Sequence, residues 1–196
     1  MINKELYVEY MKLFLEENSK VNLISKNDEK FLWEKHVVDS LGISKFFDKY
    51  GMCNTLLDIG TGGGFPALPI AITYPEIKIT AVDSIAKKIR AISSISAKLN
   101  LTNILPVCAR IETLDGQFDV VTSRAVSSLK NICEYALPKL KKGGYFVAYK
   151  SRKTPEEIDE ARVVLKKYKS EIVEILEYDL PLDENLTRNL IVIKKG

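Results

Sequence analysis

Four of the ten glycines fall in one run, Leu57-Asp58-Ile59-Gly60-Thr61-Gly62-Gly63-Gly64-Phe65-Pro66. A glycine loop between a strand and a helix brings backbone amides against a ligand. The spacing excludes two common ligands. A dinucleotide fingerprint needs Gly-x-Gly-x-x-Gly, and counting from Gly60 the sixth position is Phe65. A phosphate-binding P-loop needs Gly-Lys-Ser/Thr, and no lysine follows before Lys78. What remains is an acid, Asp58, followed by Gly60-x-Gly62-x-Gly64, with a second acid, Asp83, closing the apolar run Ile79-Thr80-Ala81-Val82. A carboxylate at a strand end can accept both hydroxyls of a ribose. With no phosphate to hold, such a loop can lie against an amino acid and adenosine.

Two further stretches reach the same place. Cys108-Ala109-Arg110-Ile111-Glu112 follows a third strand and can offer a backbone amide and a carboxylate to a ring, although Glu112 reads equally as a solvated loop acid. Ser123-Arg124-Ala125 ends a fourth strand at the mouth of the cleft. No Asn/Asp-Pro-Pro-aromatic run and no cysteine beside a proline accompanies it, which argues against transfer to exocyclic amines or to cytosine C5. Cys53, Cys108 and Cys133 form no Cys-x-x-Cys pair, and with His36 as the single histidine no zinc site is expected. The expectation is buried thiols in a reducing compartment. His36 and Asp39 share one helix face; taken alone, the pair reads as a structural hydrogen bond.

These residues need a scaffold. Short β-rich runs at Thr55–Ile59, Lys78–Asp83, Ile104–Val107, Phe118–Ser123 and Tyr145–Tyr149 alternate with helical stretches around Pro69–Tyr74, Lys87–Leu99 and Leu129–Leu140. That alternation predicts a doubly wound α/β sheet, mostly parallel, with helices on both faces. A helix starting near Thr154-Pro155-Glu156 and two last strands, Ile172–Tyr178 and Leu190–Ile193, add an antiparallel pair. Residues 1–50 read as an N-terminal helical extension, with Leu6, Tyr10, Leu13 and Phe14 at helical spacing and Asn27 as the cap of a second helix; residues 51–196 form the main domain. At 196 residues and 46% hydrophobic, the chain can bury a sizeable core. The longest uncharged stretch, Ile59 to Pro75, is broken by glycines and prolines, so no membrane span is expected, and no signal peptide is visible. The cytoplasm is the expected home. Residues 51–149 hold eleven basic against seven acidic residues. Lys130, Lys139, Lys141, Lys142, Lys150, Arg152 and Lys153 are offset only by Glu134, so they read either as a phosphate-tracking cluster or as a solvated face.

Asp58, the Gly60-x-Gly62-x-Gly64 loop and Asp83 in this order resemble the class I S-adenosylmethionine-dependent methyltransferases. More narrowly, the chain is similar to the bacterial small-subunit (16S) ribosomal RNA guanine-N7 methyltransferases, the glucose-inhibited division protein B family. The likeness is carried by Asn22-Leu23-Ile24-Ser25, His36-Val37-Val38-Asp39-Ser40-Leu41, Asp58 through Pro69, Val82-Asp83-Ser84 with Lys87-Lys88, Arg110-Ile111-Glu112, Ser123-Arg124-Ala125, Lys150, and Arg188 through Lys194. It departs at Ala67 and Ser151, where glycine is usual, and in a shorter N-terminal region.

The resemblance implies S-adenosyl-L-methionine as cofactor, with Gly60, Phe65, Ile111, Glu112 and Arg124 as contacts beside Gly62, Gly64 and Asp83. It implies small-subunit ribosomal RNA, free or in the subunit, as partner. His36, Lys150 and Arg188 are then candidate RNA contacts, and Arg124 is the expected catalytic residue, its charge shared by Glu112 or Asp58. Guanine N7 carries a lone pair and no proton, so no general base is expected. A monomer suffices. The alternatives are a small-molecule methyltransferase and a non-catalytic ribosome-associated module with a vestigial cofactor pocket.

Overall fold

The computed structural model describes residues 3–151, 155–182 and 186–196; Arg152, Lys153 and the expected cap Thr154 lie outside them. Seven strands form one sheet: β1 (Thr55–Ile59), β2 (Lys78–Asp83), β3 (Ile104–Cys108), β4 (Phe118–Arg124), β5 (Leu140–Lys150), β6 (Ser170–Leu180) and β7 (Leu186–Lys195). Their order is β3-β2-β1-β4-β5-β7-β6, with β7 antiparallel to both its neighbours. The first five strands pair in parallel, which places their C-terminal ends, and the loops that follow, along one rim.

The pleat sorts the apolar residues. Leu56, Ile79, Val120 and Val147 face one layer, while Leu57, Val82, Val121 and Phe146 face the other. The first layer is built from α1 (Lys4–Val21), α4 (Ser44–Tyr50), α5 (Ala67–Thr73) and α6 (Ala86–Lys98). The second is α7 (Leu129–Ala136) and α8 (Pro155–Lys167). Tyr7, Tyr10 and Phe14 of α1 are buried in the same core as the sheet residues, so the N-terminal helices pack directly on the sheet. Glu17 ties α1 to α6 through Ser94 at 3.1 Å.

Several local expectations need correction. The second helix, α2 (Lys26–Glu29), is capped by Ser25 and not Asn27. Ser25 is extended and its hydroxyl accepts from the Asp28 amide at 3.2 Å, whereas Asn27 already lies inside the helix. A π-helical segment follows at Leu32–Val38 and runs into α3 (Asp39–Leu41). Cys108 is exposed, because β3 is an edge strand. The lysine-rich stretch is not one patch. β5 is an 11-residue strand of about 33 Å, so Lys141 and Lys142 at its start lie at the opposite end of the sheet from Lys150. Lys141 is paired there with Asp119 at 2.7 Å, and the Lys139 ammonium donates to the Leu114 carbonyl.

Candidate active site

The glycine run leaves β1 and winds into α5. Thr61 N donates to Val82 O at 2.9 Å, and Gly62 N donates to Asp83 Oδ2 at 3.0 Å, so the loop is tied to the end of β2. Gly60 has φ +67°, and a Cβ there would sit 2.5 Å from Val126 Cγ2. Gly64 has φ +90°, and a Cβ would sit 2.5 Å from Leu68 Cδ1. Only glycine meets both demands without strain. Leu23 packs over Gly63, held by the Ile24 amide, which donates to Asn18 Oδ1 at 2.8 Å.

Around this loop lies a cleft of about 750 Å³. Gly60, Gly62, Phe65, Asp83, Ile111 and Glu112 line it, and His36 and Arg124 stand at one side. Gly64 does not: it lies behind the loop and sets its turn. Each Asp83 oxygen already accepts one amide, from Gly62 and from Ile85 at 2.9 Å, and each keeps a lone pair for a ligand hydroxyl. Asp83→Ala removes both functions. It should weaken binding of an adenosine-containing ligand by about 1–3 kcal/mol, roughly 5- to 150-fold, as read by calorimetry; unchanged affinity would show that Asp83 serves the loop alone.

Arg124 departs from expectation. Its carboxylate partner is Asp39, at 2.9 Å, and neither Glu112 nor Asp58. The π-helical segment brings three groups of the N-terminal region to the end of β4. Arg124 Nη1 donates to Asp39 Oδ2 and to the Lys35 carbonyl at 3.4 Å, Nη2 donates to His36 Nδ1 at 3.1 Å, and the guanidinium lies 5.0 Å from the Phe65 ring centroid. Because arginine only donates, His36 Nδ1 must accept, which assigns the imidazole proton to Nε2. Asp39 is buried and also accepts from the Tyr178 hydroxyl at 2.7 Å, with Arg188 Nε at 3.7 Å. His36, Asp39, Arg124 and Arg188 each stood out in the sequence, but nothing there joined them beyond the His36–Asp39 spacing; Tyr178, far along the chain in β6, left no trace.

Asp58 is fully buried and accepts from Thr122 Oγ1 at 2.9 Å. Burial pushes its carboxyl up to about 6. Burial and the Arg124 charge push His36 down to about 4, so it is neutral at physiological pH. The two act on stability in opposite senses. A folded His36 that refuses a proton loses stability as pH falls from 6.5 toward about 4. A folded Asp58 that welcomes one gains stability as pH falls through about 6 toward 3.8. Urea midpoints from pH 4 to 7 should therefore show the advantage of Asp58→Asn over the parent shrinking on acidification. The deficit of His36→Asn should shrink in the same direction. Parallel curves for all three proteins would contradict both assignments.

Lys150 and Arg188 line a second cleft of about 790 Å³. It shares Asp28, His36, Arg124, Ala125 and Val126 with the first. Ala125 has φ +55°, so the chain turns sharply at this common wall. Lys150 donates to Glu157 Oε1 at 2.6 Å and to the Ser127 carbonyl at 3.1 Å. Among the described residues no group of metal-binding side chains occurs, and no helix is long and apolar enough to cross a membrane.

The family model described as rRNA small subunit methyltransferase G matches residues 3–187. Proteins named ribosomal RNA small subunit methyltransferase G are 39% identical in Staphylococcus haemolyticus and 36% in Staphylococcus aureus strain Newman. Each match covers 98% of this chain, and 81% and 82% of those proteins. Among solved structures, the N-methyltransferase NodS from Bradyrhizobium japonicum, in complex with S-adenosyl-L-homocysteine, superposes with a TM-score of 0.64. It is 13% identical and covers 94% of this chain and 98% of that one, a likeness of fold.

Proposed function

The chain belongs to the rRNA small subunit methyltransferase G family, and on that premise we propose that it moves a methyl group from S-adenosylmethionine to N7 of a guanine in small-subunit ribosomal RNA. The observation that carries this reading is the pair of clefts meeting at one wall, one built on the glycine loop and Asp83, the other lined by Lys35, Arg124, Lys150 and Arg188. The second cleft sets these four cations against three acids, Asp28, Asp39 and Glu157, a basic balance that suits a polyanionic substrate better than a small neutral one.

The residues of the first cleft fit the cofactor. Gly60 leaves the room that a Cβ would fill, Asp83 offers free lone pairs, and the volume suits a ligand of this size. When bound, S-adenosylmethionine supplies an electrophilic methyl group on a sulfonium. Gly60, Gly62 and Phe65 would form the floor, Asp83 would take the ribose hydroxyls, and Ile111 and Glu112 would hold the adenine end. Arg124 and His36 close the side toward the second cleft. N7 has a lone pair and no proton, so these residues need only hold the two reactants in line, which can account for much of the rate. No side chain has to take a proton. His36 is already neutral above about pH 4 and Asp58 ionised above about 6, so turnover at saturating RNA should stay level from about pH 7 to 9. A bell-shaped profile in that range would contradict this mechanism.

A ribosomal substrate suits action in the cytoplasm, and nothing in the proposed step calls for more than a monomer. The test is transfer of labelled methyl to purified small subunits and to free ribosomal RNA, followed by cleavage at N7-methylguanine. Label at another atom would refute the N7 assignment, and label on small molecules alone would refute the substrate class.

A further inference from the structure

The second cleft is lined by four basic side chains, yet each is matched by an acid. Lys35 faces Asp28 at 3.3 Å, Arg124 and Arg188 face Asp39 at 2.9 and 3.7 Å, and Lys150 faces Glu157 at 2.6 Å. The three acids differ in how they are held. Asp39 is 8% exposed and locked by Tyr178 as well as both arginines. Asp28 belongs to the α2 cap, where Ser25 donates to it at 2.6 Å, and its pair with Lys35 is about one-third exposed on both sides. A pair that exposed contributes little and yields readily to a phosphate. Glu157 is the remaining case. It lies in the first turn of α8, 21% exposed, and its Oε1 accepts from both Lys150 Nζ and the Leu129 amide at the start of α7, at 2.5 Å. One carboxylate oxygen thus bridges the Lys150 ammonium on the cleft wall and the buried Leu129 amide behind it, and at the ammonium its place equally suits a phosphate oxygen.

Resting on the RNA reading above, we propose that Glu157 is a resident stand-in for an RNA backbone phosphate, displaced from Lys150 when the substrate strand enters the second cleft. The exchange is one anion for another at the Lys150 ammonium, so no net charge is stranded on Lys150. Glu157 yields the ammonium to the phosphodiester and keeps the Leu129 amide. The free enzyme thereby keeps Lys150 neutralised and oriented, held on its other side by the Ser127 carbonyl. RNA that cannot place a phosphate there must compete against an intact ion pair, which lowers affinity for the wrong strand. Lys150 is then an RNA contact whose availability depends on Glu157.

Glu157→Gln is the discriminating variant, because the amide oxygen can still accept from Leu129 while the competing charge is gone. Binding of a small-subunit RNA fragment to full-length protein, measured across a salt series, should tighten by about 3- to 10-fold at low salt. The slope of log affinity against log salt should steepen by up to about one, since in the parent the negative charge of Glu157 beside the strand offsets part of one phosphate contact and in the variant it does not. Adding Lys150→Gln should abolish both gains. Affinity and slope unchanged in Glu157→Gln, in a variant with the parent's melting temperature, would show that the pair is a structural tie only. A variant that melts early but whose gain is lost on adding Lys150→Gln still supports the exchange; one whose affinity falls, with or without Lys150, overturns it. Methyl transfer by the parent to the same RNA separates this inference from its premise: transfer without the gain refutes the stand-in alone, and no transfer with cofactor bound refutes both.

Discussion

Arg124→Ala should lower turnover on the order of a hundredfold, about 2.7 kcal/mol, and should also destabilise the fold by about 3–5 kcal/mol. The second figure follows from where the charge goes. Asp39 is 8% exposed, and removing the guanidinium leaves its buried carboxylate with only the distant Arg188 and the Tyr178 hydroxyl. Sequence reasoning places Arg124 at the mouth of the cleft; the structure makes it the clasp between the end of β4 and the π-helical segment. Its fork holds the Lys35 carbonyl, His36 and Asp39 at once, so turnover falls because the wall shared by both clefts loses its shape. A double variant with Asp39→Asn should recover much of the stability, since the buried charge is then gone and Arg188, 22% exposed, can still reach water, without recovering turnover. Thermal and urea unfolding beside single-turnover methyl transfer would check this. An Arg124→Ala protein with the parent's stability would refute the clasp, and one with full turnover would refute its role in positioning.

Gly64→Ala should be the most damaging change in the glycine loop. Its φ of +90° lies where an L-residue is strained by about 1–2 kcal/mol. The added methyl would also lie 2.5 Å from Leu68 Cδ1 and 2.9 Å from Cγ, and Leu68 is fully buried. Overpacking of that kind adds about 1–3 kcal/mol, so the total is about 2–5 kcal/mol. The cheapest relief is for the loop to lift away from α5. That would move Gly62 off Asp83 and lower cofactor affinity by about tenfold or more. Gly143→Ala provides the internal comparison: φ is +78°, but nothing lies within 4 Å of the new methyl. It should show the strain alone, about 1–2 kcal/mol, with cofactor binding intact. Equal losses in the two variants, measured by urea unfolding, would mean that contact with Leu68 adds nothing.

Much of the molecule was legible before its structure. β1 and β2 occupy the expected ranges, Thr55–Ile59 and Lys78–Asp83, because both are short apolar runs ended by the acids and glycines that stop a strand. The glycine loop was legible for the same reason: its shape depends on residues contiguous in the chain, and the conformations they need are written in their types. Gly60, Gly62, Phe65, Asp83, Ile111 and Glu112 all line one cleft. The extent of β5 was less legible. Lys141, Lys142 and Gly143 look like a polar turn, and only pairing of Leu140 with Phe118 draws the strand back to that point.

What the sequence by itself determined, then, is the parallel sheet, the rim at which its first strands end, and the loop and acids gathered there. All are local patterns of period and residue type. Only the tertiary structure decided which acid shares the charge of Arg124, which cations share a surface, and where one cleft ends and the next begins. Asp39, Arg124, Tyr178 and Arg188 come from four separate elements, and their meeting is set by how the N-terminal helices dock on the sheet. The lysines from Lys139 to Lys150 show the converse. They are close in sequence, but an extended strand carries the first and last of them to opposite ends of the molecule. Ion pairs depend on distance through space, and the chain encodes that distance only after every element between them has been packed.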